Sequence, residues 1–244
     1  MESCTVLVSS RPLTGLTCQP SNFLSPNFGP RKGGAVPSII VIHYTAMPDT
    51  AAACRTLCNP DTEVSAHYLI APDGEVMSLV AEDMRAWHAG AGRWGGVTDV
   101  NSASIGIELS NDGYSPFSAP LMDSLCDLIA GIMTRWNIPA HRVIGHSDMA
   151  PGRKIDPGAR FDWQRLGRMG LAVWPTAVDP APLEQFVPLM QRAGFTATDD
   201  PDLALHCFRL HYRPHAHGPP CAADMALLTD LANRFPVDAN APST

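Results

Sequence analysis

The sequence predicts an α/β domain followed by a small unit of three short helices. Up to residue 174, apolar β-branched runs alternate with helix-period stretches, as strands and their covering helices do. The run Ser38-Ile39-Ile40-Val41-Ile42-His43 is apolar without alternation, the pattern of a strand buried on both faces. Beyond Trp174-Pro175 the strand signals stop and three amphipathic patterns take over.

The elements follow in order. Residues 1–37, rich in Pro, Ser and Asn, read as an extended arm laid over the core. The 38–43 strand delivers His43-Tyr44-Thr45 at its carboxyl end. Residues 49–58 suit a helix capped by Asp49. Ala66 to Ile70 and Glu75 to Val80 bracket Ala71-Pro72-Asp73-Gly74, a hairpin signal. A long loop holds Trp87-His88-Ala89-Gly90 and Trp94-Gly95-Gly96, whose glycines and aromatics suit an exposed binding surface. Ser104 to Leu109 is the next strand. Residues 118–136 form a helix, with Ser118 as cap and Leu121, Leu125, Leu128, Ile129 and Ile132 on one face. A short strand, Arg142 to His146, again ends in histidine, and a polar loop leads to a helix opening at Asp162. Residues 38–174 thus make the main domain and 175–182 a linker. The last unit, 183–244, has helical patterns at Leu183–Ala193, Pro201–His211 and Ala222–Phe235.

Composition narrows the function classes. A net charge of −7 over 244 residues argues against nucleic-acid binding by bulk electrostatics. Seven scattered cysteines without a C-x-x-C pair do not form a disulfide framework or a cysteine zinc ribbon. Cys54 and Cys58 read as small apolar residues one helical turn apart. No stretch reaches the roughly 20 apolar residues of a membrane span. Without a basic segment and long apolar run at the N-terminus, the expected compartment is the cytoplasm. Leu16-Thr17-Cys18 resembles a lipoprotein signal faintly but follows no hydrophobic core; periplasmic or outer-membrane association is kept as the alternative compartment. Two counts stand out: nine histidines, and only two lysines, Lys32 and Lys154.

A catalytic zinc wants three ligands from His, Asp or Glu and an open position for water. His43 and His146 lie at the ends of different strands, and Asp156 lies in the loop after the second. The three are candidate ligands, against the alternative that each histidine is a satisfied polar residue of its strand. Glu108, in an otherwise apolar strand, is the candidate buried acid. Ser147 and Cys126 have no paired base in view, so a covalent nucleophile is not expected. His206, His211, His215 and His217, with Cys207 and Cys221, lack zinc-module spacing and read as helix surface and loop; His141 reads as surface.

The motifs Val41-Ile42-His43-Tyr44-Thr45-Ala46, Val64-Ser65-Ala66-His67-Tyr68-Leu69-Ile70, Ala86-Trp87-His88-Ala89-Gly90, Ser104-Ile105-Gly106-Ile107-Glu108-Leu109 and Val143-Ile144-Gly145-His146-Ser147-Asp148, continuing to Gly158, occur in order. In these the chain resembles the zinc-dependent N-acetylmuramoyl-L-alanine amidases of the type-2 family, relatives of the peptidoglycan recognition proteins. The nearest likeness is to the muropeptide-recycling and lipoprotein branch, with a C-terminal peptidoglycan-binding-like domain. The resemblance implies a mixed central sheet flanked by helices and a Zn2+ ion held by His43, His146 and Asp156. It implies Glu108 as general base and acid and Lys154 beside the oxyanion. The reaction implied is hydrolysis of the amide between the lactyl group of N-acetylmuramic acid, ordinary or anhydro, and L-alanine in peptidoglycan or muropeptides. His67, Trp87, His88, Arg85 and Asn101 are candidate substrate contacts, with backbone-bonded or core roles as the alternatives. The rival functions are a peptidoglycan-binding protein without catalysis and a zinc peptidase acting on stem peptides.

Overall fold

A computed structural model describes residues 25–238. Most of the expected N-terminal arm, including Cys4 and Leu16-Thr17-Cys18, lies outside the described residues. The remainder supplies a short strand, β1 (Phe28–Pro30), which pairs antiparallel with β5 (Met84–Ala86). Among the described residues no helix is long and apolar enough to cross a membrane.

The centre is a five-stranded mixed sheet. It comprises β2 (Ile39–Tyr44), β3 (Tyr68–Ile70), β4 (Val76–Ser78), β6 (Ser104–Leu109) and β7 (Val143–Gly145), in the order β4-β3-β6-β2-β7. Only the β3–β4 hairpin is antiparallel; β3–β6, β6–β2 and β2–β7 are parallel. The expected mixed sheet flanked by helices is therefore the observed one. Parallel register pairs His43 with Glu108 and Ile42 with Gly145, so three adjacent strands deliver His43, Glu108 and His146 at one carboxyl edge. That edge is where open α/β sheets bind ligands.

Side-chain alternation assigns the two faces. Ile40 and Ile42 of β2, with Ile105, Ile107 and Leu109 of β6, pack on Leu121, Leu125, Ile129 and Ile132 of α3 (Ala119–Trp136). The helix starts as its sequence requires, with Ser118 Oγ accepting from the Leu121 amide. Ile39 and Val41 point the other way, with Ile144, into a core completed by Phe186, Leu189, Phe208 and Leu228. These belong to α6 (Phe186–Ala193), α7 (Pro201–Tyr212) and α8 (Ala222–Arg234). The three helices thus share a core with the sheet. His43 and Glu108 lie on this same face. The segment before α6 runs along α8, with the Thr176 amide donating to Asp230 and the Ala181 amide to Thr229 Oγ1.

Smaller elements complete the frame: α1 (Thr50–Leu57), capped by Asp49 as expected, α2 (Val100–Ala103), α4 (His146–Met149) and α5 (Trp163–Arg168), capped by Asp162. Three expectations need correction. His146 is the first residue of α4 and not the last of a strand. Trp94 is buried, edge-on to Phe195 with ring centroids 5.4 Å apart, so it is core and not an exposed binding aromatic. His211 is 4% exposed and bonded to Asp148, and Cys207 lies in the core, so neither is helix surface.

The helical unit has a charged centre of its own. Buried Asp224 accepts from Arg209 at 3.1 and 2.6 Å, from Arg213 at 2.5 Å and from the Cys221 amide at 3.0 Å. Burial alone would raise its pKa, but these donors outweigh burial and hold the carboxyl well below the usual carboxylate range. Because the folded pKa is depressed, the pair's stabilisation is complete above the unfolded value of about 3.9 and is lost as pH falls through and below it. Asp224→Ala strands two arginines and should cost about 3–5 kcal/mol in denaturant unfolding at pH 7. The variant should also lose less stability than the wild type between pH 5 and pH 3, as flatter melting-temperature profiles would record.

Candidate metal centre

At the carboxyl edge of β2 and β7 three ligand atoms converge. His43 Nδ1 lies 2.9 Å from His146 Nδ1, and each lies 3.0 Å from Asp156 Oδ2. Asp156 reaches them because the loop after α4 folds back, with the Ser147 amide donating to the Asp156 carbonyl at 2.9 Å. All three residues are buried, and this is the one group of three His, Cys, Asp or Glu side chains with such spacing among the described residues.

Hydrogen-bond partners assign the imidazole protons. His146 Nε2 faces the Ala89 carbonyl at 2.9 Å, which can only accept, so Nε2 carries a proton and, in the neutral ring, Nδ1 keeps a lone pair. For His43 the assignment runs through a chain. The Ser104 hydroxyl donates to the Val100 carbonyl at 2.5 Å, so its oxygen accepts from His88 Nε2 at 3.2 Å. His88 Nδ1 is then an acceptor, and His43 Nε2 donates to it at 3.0 Å. Burial drives the His88 pKa well below its ordinary value, and burial followed by the nearby His146 pushes His43 down to about 4. Both rings are neutral and hold one proton each. His43 Nδ1 therefore also presents a lone pair. With the ligating rings neutral, two imidazole lone pairs and a carboxylate oxygen turn toward one point, an arrangement that a cation stabilises.

The donor set fits zinc. Two imidazoles and a carboxylate are ordinary ligands for a tetrahedral ion, whose bonds of about 2.0–2.2 Å place ligand atoms about 3.3 Å apart. Beside the cluster, Glu108 Oε2 is buried without a hydrogen-bond partner among the described residues. Burial, and secondarily the charge of Asp156, pushes the Glu108 pKa up to about 8, with Lys154 opposing. Lys154 itself is exposed at the rim, two residues before Asp156.

Of the five candidate substrate contacts, His67, His88 and Asn101 are buried, and Arg85 and Trp87 are half-buried. His67 is 0% exposed; its Nδ1 accepts from the Gly106 amide at 2.9 Å and its Nε2 donates to the Met84 carbonyl at 3.1 Å. Burial pushes its pKa down to about 3. Asn101 Oδ1 accepts from the His88 and Ala89 amides at 3.0 and 2.8 Å, so it shapes the loop that holds both metal-site histidines. Arg85 is tied to Ser102 Oγ and Asp99. His88, 9% exposed, orients His43. Trp87 is half-buried, with its amide donating to Ser65 Oγ.

Sequence reasoning missed the support formed by Ser104 and Gly106. A Cβ on Gly106 would lie 2.4 Å from the His88 ring, so only glycine lets that ring lie over β6. The signal was present: a glycine inside the apolar strand Ile105-Gly106-Ile107 marks a close approach.

Known proteins resemble this chain in sequence and fold. The family model described as N-acetylmuramoyl-L-alanine amidase matches residues 33–159. The N-acetylmuramoyl-L-alanine amidase AmiD of Escherichia coli is 32% identical over 236 residues, covering 82% of this chain and 84% of AmiD. The 1,6-anhydro-N-acetylmuramyl-L-alanine amidase AmpD of Enterobacter cloacae is 33% identical over 162 residues, 59% of this chain and 87% of AmpD. The crystal structure of AMPDH3 from Pseudomonas aeruginosa in complex with anhydromuramic pentapeptide superposes with a TM-score of 0.75 at 28% identity. That match covers 94% of this chain and all of the other.

The raised pKa of Glu108 has a consequence for stability. A carboxyl whose folded pKa exceeds its unfolded value of about 4.3 favours folding below that value and loses the benefit as pH rises toward about 8. In the metal-free protein at pH 8, Glu108→Gln should therefore be stabilising by about 1 kcal/mol or more, a rise of about 2–4 °C in melting temperature. The gain should vanish at pH 4, where wild type and variant are both neutral at this position.

Proposed function

The chain belongs to the N-acetylmuramoyl-L-alanine amidase family, and we propose that it uses a zinc ion to hydrolyse the amide between the lactyl group of N-acetylmuramic acid and L-alanine in muropeptides, the anhydro forms included. The observation that carries this reading is the convergence of His43 Nδ1, His146 Nδ1 and Asp156 Oδ2 beside the unpartnered oxygen of Glu108.

Bound zinc would supply Lewis acidity, polarising the scissile carbonyl and making the attacking water more acidic. Glu108 Oε2 accepts the proton of that water and returns it to the nitrogen of L-alanine as the amide breaks. Its environment suits the task. Burial leaves Oε2 free of competing donors, and a cation nearby would lower a pKa that otherwise stands near 8 toward working pH. The exposed ammonium of Lys154, on the loop that carries Asp156, approaches from the solvent side and meets negative charge developing on the carbonyl oxygen. Once substrate excludes water there, a charged donor at this position would contribute on the order of 3 kcal/mol. No covalent intermediate is required, because the proton relay needs only water, Glu108 and the leaving amine.

Incubation with purified muropeptides and mass spectrometry tests the reaction. Intact stem peptides beginning at L-alanine are expected; cleavage within the peptide would make the protein a peptidase, and binding without products a recognition protein. Glu108→Ala should retain zinc and lose about 10²–10⁴-fold in kcat. His146→Ala should lose both zinc and turnover, as metal analysis alongside the assay would show.

A further inference from the structure

The turn that delivers His146 is held from outside the sheet. Asp148, 1% exposed and two residues beyond His146, accepts from the Gly145 amide at 2.7 Å through Oδ2 and so closes the turn at the start of α4. The same oxygen accepts from His211 Nδ1 of α7 at 2.8 Å. The other oxygen, Oδ1, has no partner among the described residues, so these two bonds are the whole polar restraint on the Asp148 carboxylate.

His211 also touches the segment beyond the carboxylate ligand. Its ring stacks on Trp163 with centroids 3.7 Å apart and planes inclined by 19°. Trp163 follows Asp156 by seven residues and packs beneath the His146 turn. A Cβ on Gly145 would lie 2.8 Å from Pro157 Cδ and 3.3 Å from Trp163 Cζ2. Tyr212 covers His211 as well, at 4.0 Å and 19°. One imidazole on α7 therefore contacts both stretches that carry metal ligands, by a hydrogen bond on the His146 side and by stacking on the Asp156 side. Apolar contacts such as Phe208 and Leu205 already dock α7 on the sheet, so a buried aspartate–histidine bond is not needed for docking. Its specific effect is to fix the orientation of the turn. This helix lies beyond residues 33–159, the stretch matched to the family.

We propose that His211 is a positioning residue for the metal centre: through Asp148 and Trp163 it sets the spacing of His146 and Asp156. The helical unit is thereby part of the support of the site. The inference rests on the metal-centre reading above and extends it to a residue outside the catalytic edge.

Zinc affinity of the full chain, measured by competition with a chromogenic chelator, tests it without recourse to turnover. His211→Phe keeps the stack and removes the donor; it should weaken zinc binding by about tenfold, as removal of an outer-shell partner does. His211→Asn restores an N–H near the position of Nδ1 and should lie within about threefold of the wild type. Leu228→Val loosens the shared core away from Asp148 and should lower the melting temperature while leaving affinity unchanged. Wild-type affinity in His211→Phe would overturn the inference alone. So would no recovery in His211→Asn, or an equal loss in Leu228→Val at matched melting temperature. A wild type that binds no zinc would overturn the metal-centre reading and the inference together.

Discussion

His43 Nδ1, His146 Nδ1 and Asp156 Oδ2 stand within 3.0 Å of one another, and the protons that could separate them are committed elsewhere. His146 Nε2–H donates to the Ala89 carbonyl, and His43 Nε2–H donates to His88 Nδ1, whose ring donates in turn through Nε2 to Ser104 Oγ. Several neighbouring groups serve this commitment. Asn101 fixes the two amides that place His88 and Ala89, and Gly106 leaves the space into which the His88 ring fits. Partners that orient and lock the tautomer of a ligating imidazole are as much a part of metal binding as the ligands themselves.

The sheet makes that arrangement available through parity and register. Ile39, Val41 and His43 share one face of β2; Ser104, Gly106 and Glu108 share the same face of β6, with His43 beside Glu108. Each strand thus buries hydrocarbon along most of its length and presents one polar group at its carboxyl end. The face that carries the chemistry is also the face covered by α6, α7 and α8. The helical unit that follows the linker segment therefore lies against the wall of the site. His211 is where the two meet.

Much of this was legible in the residues. The apolar runs of β2 and β6, the Pro-Asp-Gly hairpin and the caps Asp49, Ser118 and Asp162 are local signals, and the structure follows them. Strand-end position alone left His43 and His146 open to a purely structural reading; it was the ordered motifs of the family resemblance that grouped them with Asp156, and the three do converge. The long-range bonds of His67, Arg85 and Asn101 were not legible. A polar side chain near a motif looks the same in sequence whether it meets a ligand or a backbone amide, and the difference lies in which long-range partner it finds. The burial of Trp94 and His211 was hidden for the same reason, since both are covered by elements about 50–100 residues away in the chain.

The most direct test of the central claim is nitrogen NMR of the histidine rings in the zinc-loaded protein, with His43 and His146 assigned by single substitution. The hydrogen-bond chain predicts that both rings are neutral, with protonated Nε2 and a metal-shifted Nδ1. Protonated Nδ1 with zinc on Nε2 in either ring, or no zinc-dependent shift in either, would contradict it.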